Sequence, residues 1–360
     1  MPREKVSVPF FKVSVPFYAA RVAVGAGALM LAGCKGAGTS HTVLAPAGVQ
    51  AERIYQLWEL MLWVCVGVYA IVLVMAVLPA VIWRQPGVEG PGRAETMPPA
   101  PTERRLGIVV GSAVGVTVVI LFVLLISDFV TGRRVYALSK APNQIDIQVT
   151  GHRWWWEVHY KDATPSNEVT DANEIHIPVG RPVRVELSSH DVIHSFWVPN
   201  LQGKKDMIPG HPTNVWIEAD KPGRYWGQCA EFCGFQHAHM RILVKAESEE
   251  QFNAFLAHGR EPAAEPVTDS QKRGQQVFLS SSCVTCHTIS GTTAGGMVGP
   301  DLTHLASRET IAAGTRANGI GHLGGWVVDP QTIKPGVIMP QNALKPDDLQ
   351  ALLEYLDSLK

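Results

Sequence analysis

The densest run of reactive side chains is Gln228-Cys229-Ala230-Glu231-Phe232-Cys233-Gly234-Phe235-Gln236-His237-Ala238-His239-Met240. Two thiols, an imidazole and a thioether fall within a dozen residues, and a second imidazole, His194, stands upstream in Asp191-Val192-Ile193-His194-Ser195-Phe196-Trp197. Thiolate and thioether are soft ligands and imidazole is borderline, a set suited to copper rather than to magnesium or calcium. A single copper needs one Cys, two His and at most a weak Met. The second Cys exceeds that need. It points to two coppers bridged by two thiolates, each copper also holding one His. Such a core spreads one electron over both metals, so little has to move on transfer, and it leaves no open position for a substrate. Two other readings of the same residues stand beside it: a Cys229–Cys233 disulfide, and a zinc site completed by His194 and His237. The neighbouring Met and Trp residues fit a copper electron site better than a closed zinc site.

A second constellation is Cys283-Val284-Thr285-Cys286-His287, the C-x-x-C-H spacing of covalent c-type haem attachment. Two thioethers tie the porphyrin vinyls, and His287 takes one axial position of the iron. Roughly 50 residues on, the loop Lys334-Pro335-Gly336-Val337-Ile338-Met339-Pro340 offers Met339 as the second axial ligand, with Met297 as its competitor. His/Met ligation raises the potential and closes the iron to substrates, which makes an electron carrier.

The pattern His194, then Cys229-x-Glu231-x-Cys233-x-x-x-His237-x-x-Met240, resembles the binuclear copper A site of cytochrome c oxidase subunit II, and the likeness runs over about residues 50 to 250. It implies that Cys229 and Cys233 bridge the coppers, that His194 and His237 take one copper each, and that Met240 is a weak ligand. It also implies that Glu231 binds through its backbone carbonyl, while its side chain reaches a magnesium ion at the boundary with subunit I. The run Gly151-His152-Arg153-Trp154-Trp155-Trp156 is similar to an aromatic run of that family, whose first Trp, here Trp154, lies where electrons enter. Arg153 stands where many relatives carry Gln, and Trp155 where they carry Tyr. Asp206-Met207-Ile208-Pro209-Gly210-His211 is also similar, with His211 in place of a frequent Arg. Gly299-Pro300-Asp301-Leu302 and Trp326-Val327-Val328-Asp329-Pro330 resemble segments of class I cytochromes c, which makes Pro300 and Trp326 haem contacts.

As a whole the chain resembles subunit II of a caa3-type cytochrome c oxidase, in which a cytochrome c domain is fused behind the copper A domain. The resemblance implies a relay. An external cytochrome donor, soluble or membrane-bound, reduces haem c; haem c reduces the copper pair; copper passes electrons to subunit I, where oxygen becomes water. Subunit I, the other oxidase subunits and membrane lipid are the implied partners. Two alternatives are a copper A-bearing subunit of a nitric oxide reductase, and a copper storage or delivery protein, which would give the haem no role.

These residues need elements to position them. Residues 1–34 read as an export signal: Arg3, Lys5, Lys12 and Arg21 precede the apolar run from Val22 to Ala32. The run ends in Leu31-Ala32-Gly33-Cys34, which resembles a bacterial lipoprotein cleavage box and makes Cys34 a lipidation site. Residues 35–50 form a tether. Residues 51–135 form a transmembrane helical hairpin from the apolar stretches Leu57 to Trp83 and Leu106 to Ile126. Each exceeds the roughly 20 residues that cross about 30 Å of hydrocarbon. Arg84, Arg93, Arg104 and Arg105 between them fit a cytoplasmic loop. Glu103 reads as a solvated charge at the mouth of the second span, although the resemblance places a glutamate near there at the start of a proton path. Cys65, inside the first stretch, reads as a small buried hydrophobe.

From about residue 143 the hydrophobic period changes to two. Ile145, Ile147 and Val149 alternate with Gln144, Asp146 and Gln148, and Val183, Val185 and Leu187 alternate with Arg184, Glu186 and Ser188. With the ligand set above, residues 136–250 form a cupredoxin-like Greek-key β-barrel. The same period puts Trp154 and Trp156 on one face of a strand and Trp155 on the other. Residues 251–267 are a capped helix followed by a Pro-bearing linker. Residues 268–360 form a small all-α cytochrome c domain whose last helix aligns Leu349, Leu352, Leu353, Leu356 and Leu359. The expected location is the bacterial inner membrane, with two spans and both redox domains on the outer, periplasmic face. A net charge of -1 over 360 residues gives no basic signal for nucleic acid, and each of the six cysteines but Cys65 has a chemical reading other than a structural disulfide.

Overall fold

The computed structural model describes residues 41–82 and 100–360. The export signal, Cys34, Arg84 and Arg93 lie outside the described residues.

Two long helices come first, α1 (Val49–Ile82, 34 residues) and α2 (Ala100–Ala137, 38 residues). By length and composition both suit a membrane span. Both overrun the apolar stretches that announce them, because the flanking residues continue the same hydrogen-bond ladder. Glu103 accordingly lies inside α2 and not in a loop. Trp63, Tyr69 and Met75 on α1, and Ile108, Phe122 and Leu125 on α2, are exposed. So much uncovered apolar surface is favourable in hydrocarbon and costly in water. Cys65 is exposed among them, not buried, since a helix standing outside the globular part has no core to enter.

The segment ahead of α1 is stitched to the β domain. Ala47 N–H donates to the Asn200 carbonyl (2.8 Å), Asp220 N–H donates to the Ala47 carbonyl (2.8 Å), and Ala51 N–H reaches Leu201 O (3.2 Å). Gly48 is required there, because a Cβ would stand 2.2 Å from the Glu218 carbonyl.

The β domain is a sandwich. Its strands are β1 (Ile145–His152), β2 (Trp155–Tyr160), β3 (Val169–Ala172), β4 (Glu174–Pro178), β5 (Val183–Ser189), β6 (His194–Trp197), β7 (Lys205–Met207), β8 (Thr213–Ile217), β9 (Gly223–Cys229) and β10 (Arg241–Glu247). They form two five-stranded sheets, ordered β3-β2-β1-β5-β8 and β4-β10-β9-β6-β7. β1 pairs parallel with β5, and β4 parallel with β10, while the other pairings are antiparallel. These crossovers give the Greek-key character. In the first sheet the period-two reading holds: Ile147, Val149, Trp156, Val158, Val185 and Leu187 point inward and are at most 1% exposed. Each such side chain contributes about 1.5–3 kcal/mol on burial.

The second sheet breaks the alternation. Leu243 and Glu174, which sit opposite one another on β10 and β4, are buried on what should be the solvent face. That face is covered by the C-terminal domain, whose Glu309 and Thr310 N–H groups reach Glu174.

After β10, α3 (Glu249–Gly259) starts with a Ser248–Gln251 capping box and packs Phe252 and Phe255 against Tyr160. The following residues are held: Arg260 Nε donates to Asn167 O (2.9 Å), and Ala263 N–H to Ser290 O (3.0 Å). The C-terminal domain comprises α4 (Asp269–Ser280), α5 (Ile320–Val328), α6 (Pro330–Ile333) and α7 (Pro346–Ser358). α4 and α7 cross at Gly274, where a Cβ would meet the Ala351 carbonyl at 2.0 Å. Phe278, Leu352, Leu356 and Leu359 form the core there, together with Tyr355, which the leucine spacing alone did not single out.

Candidate copper and haem sites

β6 opens on His194, β9 ends on Cys229, and the next eleven residues close back onto β10. Gly227 lets β9 lie tight against β6, since a Cβ there would stand 2.6 Å from the Trp197 carbonyl. The loop is pinned at both ends: Cys229 N–H donates to Met240 O, and Ala230 N–H to Ser195 O, each at 2.9 Å.

The side chains then fall into two groups. Cys229 Sγ lies 3.8 Å from His194 Nδ1 and 3.1 Å from the Glu231 carbonyl oxygen. Cys233 Sγ lies 3.6 Å from His237 Nδ1 and 3.9 Å from Met240 Sδ. His194, Cys229 and Cys233 have ligand atoms all within 4.8 Å of one another. Both thiols are free and buried, as are His194 and Met240. The donor set therefore fits soft metal binding: each thiol has its own imidazole, and a carbonyl and a thioether stand as extra donors on opposite halves. Glu231 is exposed.

The electrostatics favour the ligand form of Cys229 and hold Cys233 and His194 toward their protonated forms. A hydrogen bond from Cys233 holds the Cys229 thiol well below the usual thiol range, while the same bond and burial push Cys233 up. Asp191, three residues before His194, accepts at 2.9 Å from His194 Nε2 and so turns Nδ1 toward Cys229. Burial works against a charged His194, but its bonds to Asp191 and Cys229 outweigh that and raise it. Carboxylates behind imidazoles commonly orient metal ligands in this way. Asp191 was not singled out from the sequence, although its spacing to His194 was there to be read.

The haem-attachment motif begins a turn after α4. Cys286 N–H and His287 N–H both reach the Cys283 carbonyl, at 3.2 and 3.0 Å. His287 Nδ1 donates to Pro300 O (2.7 Å), which leaves Nε2 free. Burial lowers the His287 pKa, so the ring stays neutral, as an iron ligand must be. Gly299 lies flat on this ring, where a Cβ would come within 2.6 Å of Cε1. Cys283, Cys286, His287, Pro300, Trp326 and Met339 all line one cavity of about 210 Å³. Its remaining walls are largely aliphatic, among them Leu302, Ile311, Leu323 and Val327, so the residues fit a covalently held, apolar macrocycle. Met297 is 82% exposed and is not among the lining residues. Gln331, which sequence reading missed, fixes the Met339 loop: its Nε2 donates to the carbonyls of Val337 and Met339, at 2.8 and 2.9 Å.

One wall of the cavity comes from the β domain: Arg153, Trp154, Trp155 and Asn173. Trp154 does not share a strand face with Trp156. It sits in the turn between β1 and β2 and is 6% exposed. Its Nε1 donates to the carbonyl of Cys233 at 2.8 Å. The same indole thus borders the haem cavity and bonds to the copper loop. Lys334 is 2% exposed, with its Nζ 2.6 Å from Trp154 O and 3.1 Å from Ala312 O. Burial lowers its pKa to about 7.

Comparison with known proteins identifies the families of the two domains. Residues 145–247 match the family described as cytochrome C oxidase subunit II, periplasmic domain, and residues 271–360 match cytochrome c. Cytochrome c oxidase subunit 2 of Alkalihalophilus pseudofirmus is 35% identical over 340 residues, covering 92% of this chain and 94% of that protein. The subunit 2 of Bacillus sp. PS3 is 29% identical over 62% of this chain and 64% of that one. The solved periplasmic domain of cytochrome oxidase subunit II from Bradyrhizobium japonicum is 30% identical, covers 32% of this chain and 93% of its own, and gives a TM-score of 0.31. With a relative this similar along nearly its whole length, the chain belongs to the cytochrome c oxidase subunit 2 family, the subunit II of haem-copper oxidases, here carrying a cytochrome c domain at its C-terminal end.

Proposed function

We propose that this subunit is an internal electron relay. The observation that carries the reading is Trp154, which walls the haem cavity and donates a hydrogen bond to Cys233 in the copper loop. When bound, haem c and a binuclear copper A centre supply one-electron chemistry, so that electrons pass from an external cytochrome through both to subunit I, where oxygen is reduced to water.

The chain's own residues have defined tasks in this reading. Cys229 and Cys233 hold both coppers, and His194 and His237 hold one each. The Met240 thioether and the Glu231 carbonyl complete opposite halves. That two groups of donors converge from separate imidazoles supports two metals over a single zinc. Burial of the thiols keeps water out, so few dipoles have to reorient when charge changes. Asp191 holds the His194 ring in place. Cys283 and Cys286 anchor the porphyrin, His287 and Met339 ligate the iron, and Pro300 and Trp326 pack the macrocycle. The exposed Glu231 carboxylate is available to a magnesium ion shared with subunit I. α1 and α2 cross the inner membrane with both redox domains on the periplasmic face, and Cys34 is acylated. The working domains in this reading are 51–135, 136–250, 251–267 and 268–360, of which the boundaries at 136 and 251 fall within α2 and α3.

The test is the metal content of the purified chain. Two coppers and one haem per chain, with a delocalised mixed-valence signal in electron paramagnetic resonance, is the expected result. One copper per chain with a four-line hyperfine pattern would rule out the binuclear centre.

A further inference from the structure

The haem-ligand loop is held on the β domain by few groups, and one of them is unusual. Lysine is rarely buried without a counter-charge, because removing an ammonium from water is costly unless its protons find acceptors. Lys334 is buried, and its two bonded partners are carbonyls, one from each domain: Trp154 in the β domain and Ala312 in the cytochrome domain.

The turn that supplies the second carbonyl is itself strained. Ala312 and Ala313 have φ of 53° and 55°, a left-handed backbone that is unfavourable for an L-residue. Both strained carbonyls are used at the domain boundary. Ala312 O accepts from Lys334, and Ala313 O accepts from Arg241 N–H at 3.1 Å. Next to Lys334, the Pro335 carbonyl accepts from Gln236 Nε2 of the copper loop at 2.8 Å, and Gly336 lies against the Trp154 ring. Bonds from Lys334 and its neighbour therefore reach Trp154 and the copper loop directly. A separate ionic clamp lies on the outer face of the second sheet. There Glu174 takes Lys245 at 2.6 Å and the N–H groups of Glu309 and Thr310 at 2.7 and 3.1 Å, while on β3, the edge strand of the first sheet, Asp171 takes Arg308 at 2.7 Å.

We propose that Lys334 is a positioning residue, whose Nζ donors bridge the Trp154 and Ala312 carbonyls and thereby fix the haem-ligand loop on the copper domain, so that Trp154 is reached from the haem cavity and not from solvent. The ionic clamp holds the domains together, and Lys334 sets the register of the wall that both sites share. The idea rests on the relay reading, and the experiment separates the two.

In the full-length chain, Lys334→Met keeps the side chain's length and removes its donors. Hydrogen–deuterium exchange in peptides spanning 331–342 and 153–157 is expected to rise at least tenfold, while covalent haem and copper content stay unchanged. In stopped-flow reduction by a soluble ferrous cytochrome c, electron arrival at haem is expected to keep its rate, and the following one-electron step to copper, in which no bond forms or breaks, is expected to slow at least tenfold. A general loss of folding would not spare the first step. If the methionine variant yields no stable protein, Gln236→Ala, which removes the neighbouring bond to Pro335, is read in the same way, with a smaller rise expected. Unchanged exchange in 331–342, or unchanged transfer to copper, overturns the role of Lys334. The relay is judged on the wild-type chain alone, where copper that fills ahead of haem would refute it whatever the variants do.

Discussion

The copper loop and the haem cavity are built in opposite ways. The copper ligands come from one loop and one strand start in a single sandwich, with their orienting carboxylate three residues from a ligand. The haem cavity draws its attachment motif, its Met339 loop and its Trp154 wall from segments scattered over nearly 190 positions and two folds. A site of the first kind stands or falls with its own domain. A site of the second kind also depends on how the domains meet, so changes in either domain reach it.

Met339 gives the largest expected contrast. Met339→Ala should keep the haem attached through Cys283 and Cys286 but remove the soft axial donor. Thioether favours ferrous iron, so the haem potential should fall and the near-infrared band of Met–ferric haem ligation should vanish, with copper content unaffected. Met297→Ala should leave both unchanged, because Met297 is not among the cavity residues. Spectra and redox titration of the full chain decide it, and the reverse pattern would move the ligand to Met297.

Most of the copper site was legible because a short loop keeps its ligands close in sequence. The structure brings His194 at the start of β6 together with Cys229 and Cys233, and sets His237 and Met240 beside Cys233. The first sheet was legible for a similar reason, since one face is dry and the other wet. What the sequence hides is contact between distant segments. Leu243 and Glu174 break the alternation because residues 309 and 310 lie over them. Lys334 looks like an ordinary loop cation, and only the meeting of Trp154 with the Ala312 turn explains its burial. Trp154 was assigned to a strand face because period two was carried through a turn. Likewise the apolar stretches mark the thickness to be crossed, not where α1 and α2 end.

The same contrast separates the two outer sheet faces and gives a smaller effect. On the first sheet Glu157 lies 3.3 Å from His152 Nε2 and 3.7 Å from His159 Nε2, partly open to solvent. Hydrogen bonds from these two imidazoles hold its carboxyl down to about 2, below its ordinary 4.5. A depressed carboxyl adds stability that is fully present above about pH 4.5 and is lost as pH falls through about 2. Glu157→Gln should therefore be less stable than wild type near pH 6, on the order of 1 kcal/mol after solvent screening. The gap should close toward pH 2. Urea unfolding at several pH values checks this, and a gap independent of pH would mean that Glu157 acts by packing.

The central claim is that one indole joins the two sites. The direct measurement is the haem-to-copper electron-transfer rate in the purified oxidase after rapid photoreduction of the haem, comparing wild type with Trp154→Leu. The account predicts full haem and copper content in the variant and a rate at least tenfold lower. An unchanged rate at full cofactor content would contradict it.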